Sequence, residues 1–386
     1  MAFTEIKKGI YWVGANHPER KFFDELFPLP EGTSYNSYIV KGTEKIALID
    51  TVDPVKADEL IANLRELNVE RLDYIISNHA EQDHSGSIPR ILELYPGAKV
   101  VTNAKCKTML MDLLDLKDEN FALVGENEAL DLGGKTLKFV LAPWVHWPET
   151  MFTYVAEEKI LFTCDFLGSH ESFGGTYDEE DGKRYFAEIM LPYRAFFRTH
   201  LERVAGMDLE MIAPSHGPII GEPAKIIGLH REWASERVKN KALIAYVSMH
   251  GSTEKMVRHL ENALAKKGIE TKVFDVAKTG FEGVSSELLD SATVVFASAV
   301  VLNEAHPALL YAAHAINILK PKAKFYTIIG SYGWAATHAE QIKGALGNFK
   351  SAELIAPVFA KGTPKEADYA KLDALADEIA KRHAGI

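Results

Sequence analysis

The first half of the chain sets short apolar runs between amphipathic stretches, a pattern typical of strands that alternate with helices. Leu60, Ile61 and Leu64, for example, recur at helical spacing after the apolar run at 45–50. The pattern predicts strands at 10–13, 37–40, 45–50, 73–78, 99–102, 137–142, 151–155 and 159–163, and helices at 54–67, 88–96, 104–114 and 221–235. The last three of these strands follow one another without a helix.

The second half has a more regular rhythm, in which helices alternate with strands. It predicts strands at 242–247, 270–275, 292–299, 323–329 and 353–358, and helices at 254–267, 307–319, 335–347 and 364–383. Alternation of this kind is typical of a parallel, doubly wound sheet. We therefore predict an α/β protein with two domains, residues 1–239 and residues 240–386.

Composition excludes several classes of protein. The 386 residues are 47% hydrophobic and 25% charged, as in ordinary globular proteins. A net charge of −11 argues against nucleic acid or an anionic membrane as a partner. Cys106 and Cys164 are too few for a disulfide framework, and the N-terminus lacks the apolar core of a signal peptide. We therefore expect a cytoplasmic protein without a membrane span.

Four side chains that can bind a metal fall within the six residues His79-Ala-Glu-Gln-Asp-His84. They follow the predicted strand 73–78, so they occupy a loop at its carboxyl end, where α/β sheets build their sites. The pairs His79 with Glu81 and Asp83 with His84 indicate two neighbouring ions. Imidazole and carboxylate groups together suit Zn, Mn or non-haem Fe.

Three further candidate ligands also lie just past predicted strands. They are His146 in Trp144-Val-His-Trp-Pro148, Asp165 after Cys164, and His216 in Pro214-Ser-His-Gly217. A single buried histidine is more often part of a core than a ligand. The repetition of one arrangement at several strand ends favours a shared metal site instead.

Residues 1–220 resemble the metallo-β-lactamase superfamily, which implies an αββα sandwich with a dinuclear site at one sheet edge. The usual first motif of the superfamily is His-x-His-x-Asp-His, and here Glu81 replaces its second histidine. A carboxylate is a harder donor that adds negative charge, so this replacement favours iron over zinc. The resemblance implies one metal held by His79, Glu81 and His146, a second held by Asp83 and His216, and Asp165 as the bridge, with ligation by His84 left open.

The loop 248–253 offers hydroxyl groups and, at Gly251, open backbone N–H groups to a phosphate at a helix N-terminus. It has neither the lysine of a P-loop nor the spacing of a dinucleotide turn. The second half resembles flavodoxin, which implies FMN in three loops, although Val300, Val301 and Leu302 replace polar or aromatic groups of the second loop. The implied FMN-binding residues are Ser248, Met249, His250, Gly251, Ser252, Thr253, Val300, Val301, Leu302, Asn303, Ser331, Tyr332, Gly333 and Trp334.

The two halves together resemble the flavodiiron proteins, or A-type flavoproteins, essentially from end to end. Segments that support this include 32–36, 146–151, 214–217 and 248–254. The resemblance implies two Fe ions, FMN, and an oxidoreductase that reduces O2 to water and/or NO to N2O. His170, Tyr185 and Tyr193 are candidates for the wall of the substrate pocket, without individual roles.

The same resemblance implies partners. No rubredoxin or flavin reductase domain follows Ile386, so we expect a separate electron donor, rubredoxin or reduced coenzyme F420, with rubredoxin favoured. Family members form head-to-tail homodimers, or dimers of such dimers, in which the FMN of one subunit faces the diiron site of the other.

Two other functions stay open on the sequence alone. A zinc-dependent hydrolase of the metallo-β-lactamase superfamily, with a flavodoxin-like binding domain, would contain zinc and no iron. If the protein is an electron-transfer flavoprotein with a vestigial metal site, Glu81→Ala would leave its consumption of O2 and NO unchanged.

Overall fold

The computed structural model describes residues 3–281, 283–349 and 352–386. The chain forms two compact units, one ending at Ala234 and one beginning at Ser235. The boundary predicted at 239 and 240 lies later than this, within a strand of the second unit that spans Lys239–Val247.

The first unit contains two packed β-sheets with helices outside them. In chain order its strands are β1 (Thr4–Lys7), β2 (Ile10–Trp12), β3 (Ala15–His17), β4 (Phe22–Phe23), β5 (Phe27–Pro28), β6 (Thr33–Tyr35), β7 (Tyr38–Lys41), β8 (Ile46–Ile49), β9 (Tyr74–Ile76), β10 (Lys99–Thr102), β11 (Phe121–Leu123), β12 (Ala129–Asp131), β13 (Thr136–Leu141), β14 (Met151–Val155), β15 (Ile160–Cys164) and β16 (Met211–Pro214). The first sheet has the order β1-β2-β7-β8-β9-β10-β11 and the second β12-β13-β14-β15-β16. The pairs β3-β6 and β4-β5 stand apart as small hairpin-like sheets.

The helices of this unit cover the outer faces of the sandwich. They are α1 (Ala57–Glu66), α2 (Gln82–Ser85), α3 (Ile88–Leu94), α4 (Ala104–Leu114), α5 (Glu179–Tyr185), α6 (Arg194–Ala205) and α7 (Pro223–Trp233), with a π-helical turn at Phe186–Met190. Side chains alternate across each strand, so Val40 packs between the sheets while Ile39 faces Leu60 of α1. This is the predicted αββα arrangement.

The topology places the predicted ligands at one edge. Strands β15 and β16 are parallel, so the residues after them leave from the same end of the sheet. The loop from β13 to β14 lies at that end too, because β14 is antiparallel to β15. Backbone hydrogen bonds join this edge to the loops of the first sheet, from Met151 N to Asn78 O (2.9 Å) and from Asn36 N to Ser215 O (2.8 Å).

The second unit is a parallel sheet between helices. Its strands are β17 (Lys239–Val247), β18 (Glu270–Asp275), β19 (Ser291–Val301), β20 (Glu304–Ala305), β21 (Phe325–Tyr332), β22 (Glu353–Leu354) and β23 (Val358–Lys361), and its helices are α8 (Ser252–Ala265), α9 (Val284–Leu288), α10 (Pro307–Ile318), α11 (His338–Ala345) and α12 (Glu366–His383). The parallel strands run in the order β18-β17-β19-β21, followed by β22 and β23. This is the 2-1-3-4-5 order of flavodoxin-like folds, so the predicted fold class is confirmed. The strand predicted at 353–358 is instead divided between β22 and β23.

None of the helices in the described part of the chain combines the length and apolar character needed to cross a membrane.

A buried histidine makes the stability of the first unit depend on pH. The ring of His230 on α7 stacks on Phe197 with centroids 5.7 Å apart, and its Nδ1 lies 3.0 Å from the carbonyl oxygen of Ile226. Burial lowers the pKa of His230 to about 4. The unfolded chain, with an ordinary pKa of about 6.5, therefore binds a proton that the folded chain rejects.

The free energy of unfolding should therefore decrease by about 3 kcal/mol as the pH falls from about 6.5 towards 4. We expect the denaturant midpoint to fall more steeply between about pH 7 and about pH 5 in the unchanged protein than in His230→Phe. Equal slopes would contradict this prediction.

Candidate functional site

The predicted metal ligands meet in one buried cluster. His79, Glu81, His146 and Asp165 form one group and Asp83, His84 and His216 another, and within each group the potential ligand atoms lie within 4.8 Å of one another. The structure thus brings together all seven side chains that the sequence singled out, from strand ends spread over both sheets.

Asp165 belongs to the first group but also lies close to the second. Its Oδ2 lies 3.5 Å from Nε2 of His79 and 3.6 Å from Nε2 of His146. Its Oδ1 lies 3.0 Å from Nε2 of His84 and 3.3 Å from Nε2 of His216. One carboxylate oxygen therefore faces each group, as a bridge between two ions requires.

A short helix completes the first motif, where the sequence predicted a loop throughout. The chain leaves β9, passes His79 and Glu81 outside any helix or strand, and then turns into α2, which carries Asp83 and His84. The backbone N–H and the hydroxyl of Thr51 both donate to the carbonyl oxygen of His84, each at 2.7 Å. This anchoring directs the imidazole of His84 into the cluster.

Several nitrogen and oxygen atoms of the cluster lack hydrogen-bond partners in the part of the chain that the structure describes, as expected of atoms that bind a cation. Among the described residues, both oxygens of Asp83 and Nε2 of His84, His146 and His216 are buried without a hydrogen-bond partner. Such groups are costly unless something binds them. These imidazole nitrogens lie close to the carboxylates but do not form hydrogen bonds with them, which indicates that both kinds of group point at shared metal positions. The combination of imidazole and carboxylate ligands matches non-haem iron.

The charges of the cluster are coupled. Burial alone would lower the pKa of His79, but hydrogen bonds to the Glu149 and Glu81 carboxylates raise it well above its usual range. Burial would raise the pKa of Asp165, but the neighbouring imidazoles of His84 and His216 hold it well below its usual range. A metal ion would replace the protons that these imidazoles otherwise carry, because metal ligands must be deprotonated.

Hydrogen bonds behind the cluster orient its imidazoles. Nδ1 of His79 donates to Oε1 of Glu149 at 2.7 Å, and Nδ1 of His216 donates to the carbonyl oxygen of Ser34 at 2.6 Å. Both contacts turn Nε2 towards the cluster. Sequence reasoning missed Glu149 in this role, and its only signal was its place three residues after His146.

The candidate pocket-wall residues lie against the cluster. His170 meets Tyr185 edge-on at 4.8 Å and lies 5.9 Å from the ring of His216. Tyr193 lies 6.4 Å from the ring of His146. The hydroxyl of Tyr185 is within 3.3 Å of Asp165 Oδ1.

A cavity of about 270 Å³ opens onto this cluster. Glu81 and Asp83 line it, together with Phe23, Tyr35 and Trp147. It offers a small molecule a route to the two carboxylates.

In the second unit, the three predicted loops enclose a second cavity of about 150 Å³. Its lining includes Ser248, Met249, His250, Ser252, Val300, Ser331, Tyr332 and Gly333 from the prediction, and Ala299 and Gly362, which were not predicted. Gly251 has the left-handed backbone (φ 81°) that starts α8. The Thr253 and Ser331 hydroxyls lie 2.9 Å apart and tie the first loop to the third.

The remaining predicted residues of these loops are not part of the cavity lining. Strand β19 continues through Val301 and turns back into β20 at Leu302 and Asn303, both with left-handed backbones. Leu302 and Trp334 are 92% and 81% exposed. Both residues belong to loops of which other residues, Val300 and Gly333, line the cavity.

Comparison with known proteins gives the class of this chain. Residues 33–217 match the family model described as ODP family beta lactamase. The chain is 35% identical to a nitric oxide reductase of Moorella thermoacetica over 85% of this chain and 86% of that protein. It is 30% identical to the flavo-diiron protein FprA2 of Clostridium acetobutylicum over 99% and 100% of the two chains. The chain therefore belongs to the flavodiiron protein family.

A solved structure agrees with this assignment. The rubredoxin oxygen:oxidoreductase of Desulfovibrio gigas superposes with a TM-score of 0.94 at 28% identity, covering 99% of each chain.

Proposed function

We propose that this protein is an oxidoreductase that reduces O2 to water and/or NO to N2O at a diiron site. Electrons would reach the site through FMN from a separate donor, four for each O2 and two for each pair of NO. The observation that carries the proposal is the position of Asp165 between two buried groups of imidazole and carboxylate ligands, in a flavodiiron family member.

The ligand set follows from the two groups around Asp165. His79, Glu81 and His146 would hold one iron, Asp83, His84 and His216 the other, and Asp165 would bridge them. His84 joins the set because its Nε2 lies 3.0 Å from Oδ1 of Asp165 and 3.3 Å from Oδ1 of Asp83 but has no hydrogen-bond partner in the described chain. The carboxylate of Glu81 in place of a third imidazole supports iron over zinc.

When bound, the irons would supply the redox centre that holds O2 or NO, and FMN would supply the electrons. The residues of the chain keep the centre buried and its geometry fixed. Glu149 and the Ser34 carbonyl hold the imidazoles of His79 and His216 in one orientation. The cavity beside Glu81 and Asp83 admits a small substrate.

FMN would lie in the second unit, with its phosphate at the N-terminus of α8. Ser248 and Ser252 line the cavity there and would supply hydroxyls, and Gly251 is the residue at which the helix begins. Leu302 and Trp334 would flank the flavin ring.

Partners and setting complete the proposal. We expect a head-to-tail homodimer, or a dimer of such dimers, because the family resemblance implies that the FMN of one subunit passes electrons to the diiron site of the other. We also expect the protein in the cytoplasm. A variant made monomeric should keep its iron and flavin but lose turnover, as measured by O2 uptake. Full activity in a monomer would overturn the dimer proposal.

Turnover of the iron- and FMN-loaded protein tests the function. Anaerobic protein is mixed with reduced rubredoxin or reduced coenzyme F420, and the consumption of O2 and of NO is followed separately. Consumption with either donor, in the expected electron ratios, supports the proposal. Hydrolysis of a thioester or lactam without any O2 or NO consumption would overturn it.

Removing the charge of Glu149 should weaken metal binding. In Glu149→Gln the side chain keeps its size but no longer offers a carboxylate to Nδ1 of His79, so the imidazole becomes a poorer ligand. We expect iron affinity to fall about tenfold, measured by competition with a chelator. Glu157→Gln is the control, because Glu157 lies at the surface beside Thr136. Equal affinities in the two variants would contradict the role of Glu149.

A further inference from the structure

Both oxygens of the Asp165 carboxylate receive a hydrogen bond from behind. The hydroxyl of Tyr185 donates to Oδ1 at 3.3 Å, and the thiol of Cys164 donates to Oδ2 at 3.6 Å. All three residues are only 1% exposed, so water does not compete for these contacts.

Each donor shares its oxygen with one of the two ligand groups. Oδ1, which accepts from Tyr185, faces His84 and His216. Oδ2, which accepts from Cys164, faces the group that contains His79. The two donors therefore bind different oxygens of one carboxylate, and each of these oxygens faces a different ligand group.

The backbone around each donor holds it in place. Cys164 ends β15 in a left-handed conformation (φ 51°), directly before Asp165. Tyr185 is the last residue of α5, and the π-helical turn Phe186–Met190 follows it at once. Turns of this kind often occur at functional sites. The edge-on ring of His170 fixes the phenol from the side.

We propose that Tyr185 and Cys164 are positioning residues that set how strongly Asp165 donates to the two irons, Tyr185 through Oδ1 and Cys164 through Oδ2. This rests on the diiron function proposed above. A hydrogen bond to a ligand carboxylate draws electron density from the metal and stabilises its reduced form, so the two donors raise the reduction potential of the centre.

Substitutions can remove each donor while leaving its surroundings in place. Tyr185→Phe loses the hydroxyl but keeps the ring contact with His170. Cys164→Ala loses the thiol, whereas Cys164→Ser keeps a donor at the same position. The matched controls are Tyr95→Phe, which loses a hydroxyl bound to the Val69 carbonyl, and Cys106→Ala, which loses the other buried free thiol.

The test is a redox titration of the iron-loaded proteins, followed by EPR of the diiron centre. We expect the midpoint potential to shift downwards in Tyr185→Phe and Cys164→Ala, and to stay near that of the unchanged protein in Cys164→Ser and both controls. The carboxylate stretching band of the iron-loaded protein should shift in the same two variants, which gives a readout independent of turnover.

Potentials of Tyr185→Phe and Cys164→Ala equal to those of the controls would overturn the proposal. The Cys164→Ala and Cys164→Ser pair decides the matter alone if Tyr185→Phe fails to fold. Failure of the unchanged protein to take up iron would instead overturn the proposed function, so the two failures are distinguishable.

Discussion

Glu81→Ala should abolish nearly all consumption of both O2 and NO. Glu81 lies 3.1 Å from Nε2 of both His79 and His146, so its carboxylate completes one of the two ligand groups. Loss of a hydrogen-bond partner of a metal ligand typically lowers metal affinity or activity about 10–100-fold, so loss of the ligand itself should lower activity at least about 100-fold. The measurement is O2 and NO uptake together with the iron content of the purified variant.

The control for this change is Glu70→Ala, which removes an exposed carboxylate that belongs to neither ligand group. It should keep both iron and activity. Unchanged consumption in Glu81→Ala would instead support an electron-transfer flavoprotein whose metal site is vestigial.

Glu81→His sharpens the same test. It restores the His-x-His-x-Asp-His motif and replaces a hard oxygen donor with a softer nitrogen, which should shift metal preference towards zinc. After growth with both metals, we expect this variant to contain more zinc and less iron than the unchanged protein, and to show little O2 or NO consumption. The same iron content in both proteins would contradict the role given to Glu81.

Ser252→Asp should remove FMN without damaging the fold. Ser252 is the first residue of α8 and lines the cavity of the second unit. A carboxylate there would face the phosphate of FMN, and two unit charges about 4 Å apart near a protein surface repel by about 4 kcal/mol, roughly a thousandfold in affinity. The same carboxylate favours the N-terminus of a helix, so stability should be kept or raised.

The measurement is FMN affinity by fluorescence titration, with unfolding followed in parallel. Ser252→Ala removes only one hydroxyl and should lose far less affinity. If Ser252→Asp bound FMN as tightly as Ser252→Ala, the phosphate could not lie at this helix N-terminus. Iron content should not change in either variant, because Ser252 belongs to the second unit.

The sequence predicts much of this arrangement because its signals are local. Apolar runs mark the strands, and the parallel alternation after residue 240 predicts a doubly wound sheet, which the structure contains. Ligand-type side chains at strand ends then predict a shared edge. His79, His146 and His216 meet there for that reason, although they come from distant parts of the chain.

Other features depend on contacts that no local pattern encodes. The imidazole of His84 points into the cluster because His84 lies on the short helix α2 and its carbonyl oxygen is bound by Thr51. The sequence motif alone does not decide whether His84 is a ligand. Glu149 reaches His79 across 70 positions. Tyr185 reaches Asp165 only because α5 folds back over the cluster, in a region where the sequence offered no assignment.

The most direct test is metal and flavin analysis of protein purified without air, combined with Mössbauer spectroscopy of the bound iron. Asp165 and the six ligand side chains around it should hold a coupled pair of irons in nitrogen and oxygen ligation, and the same protein should carry FMN. Zinc without iron, or a protein that lacks the absorption of FMN, would contradict that result.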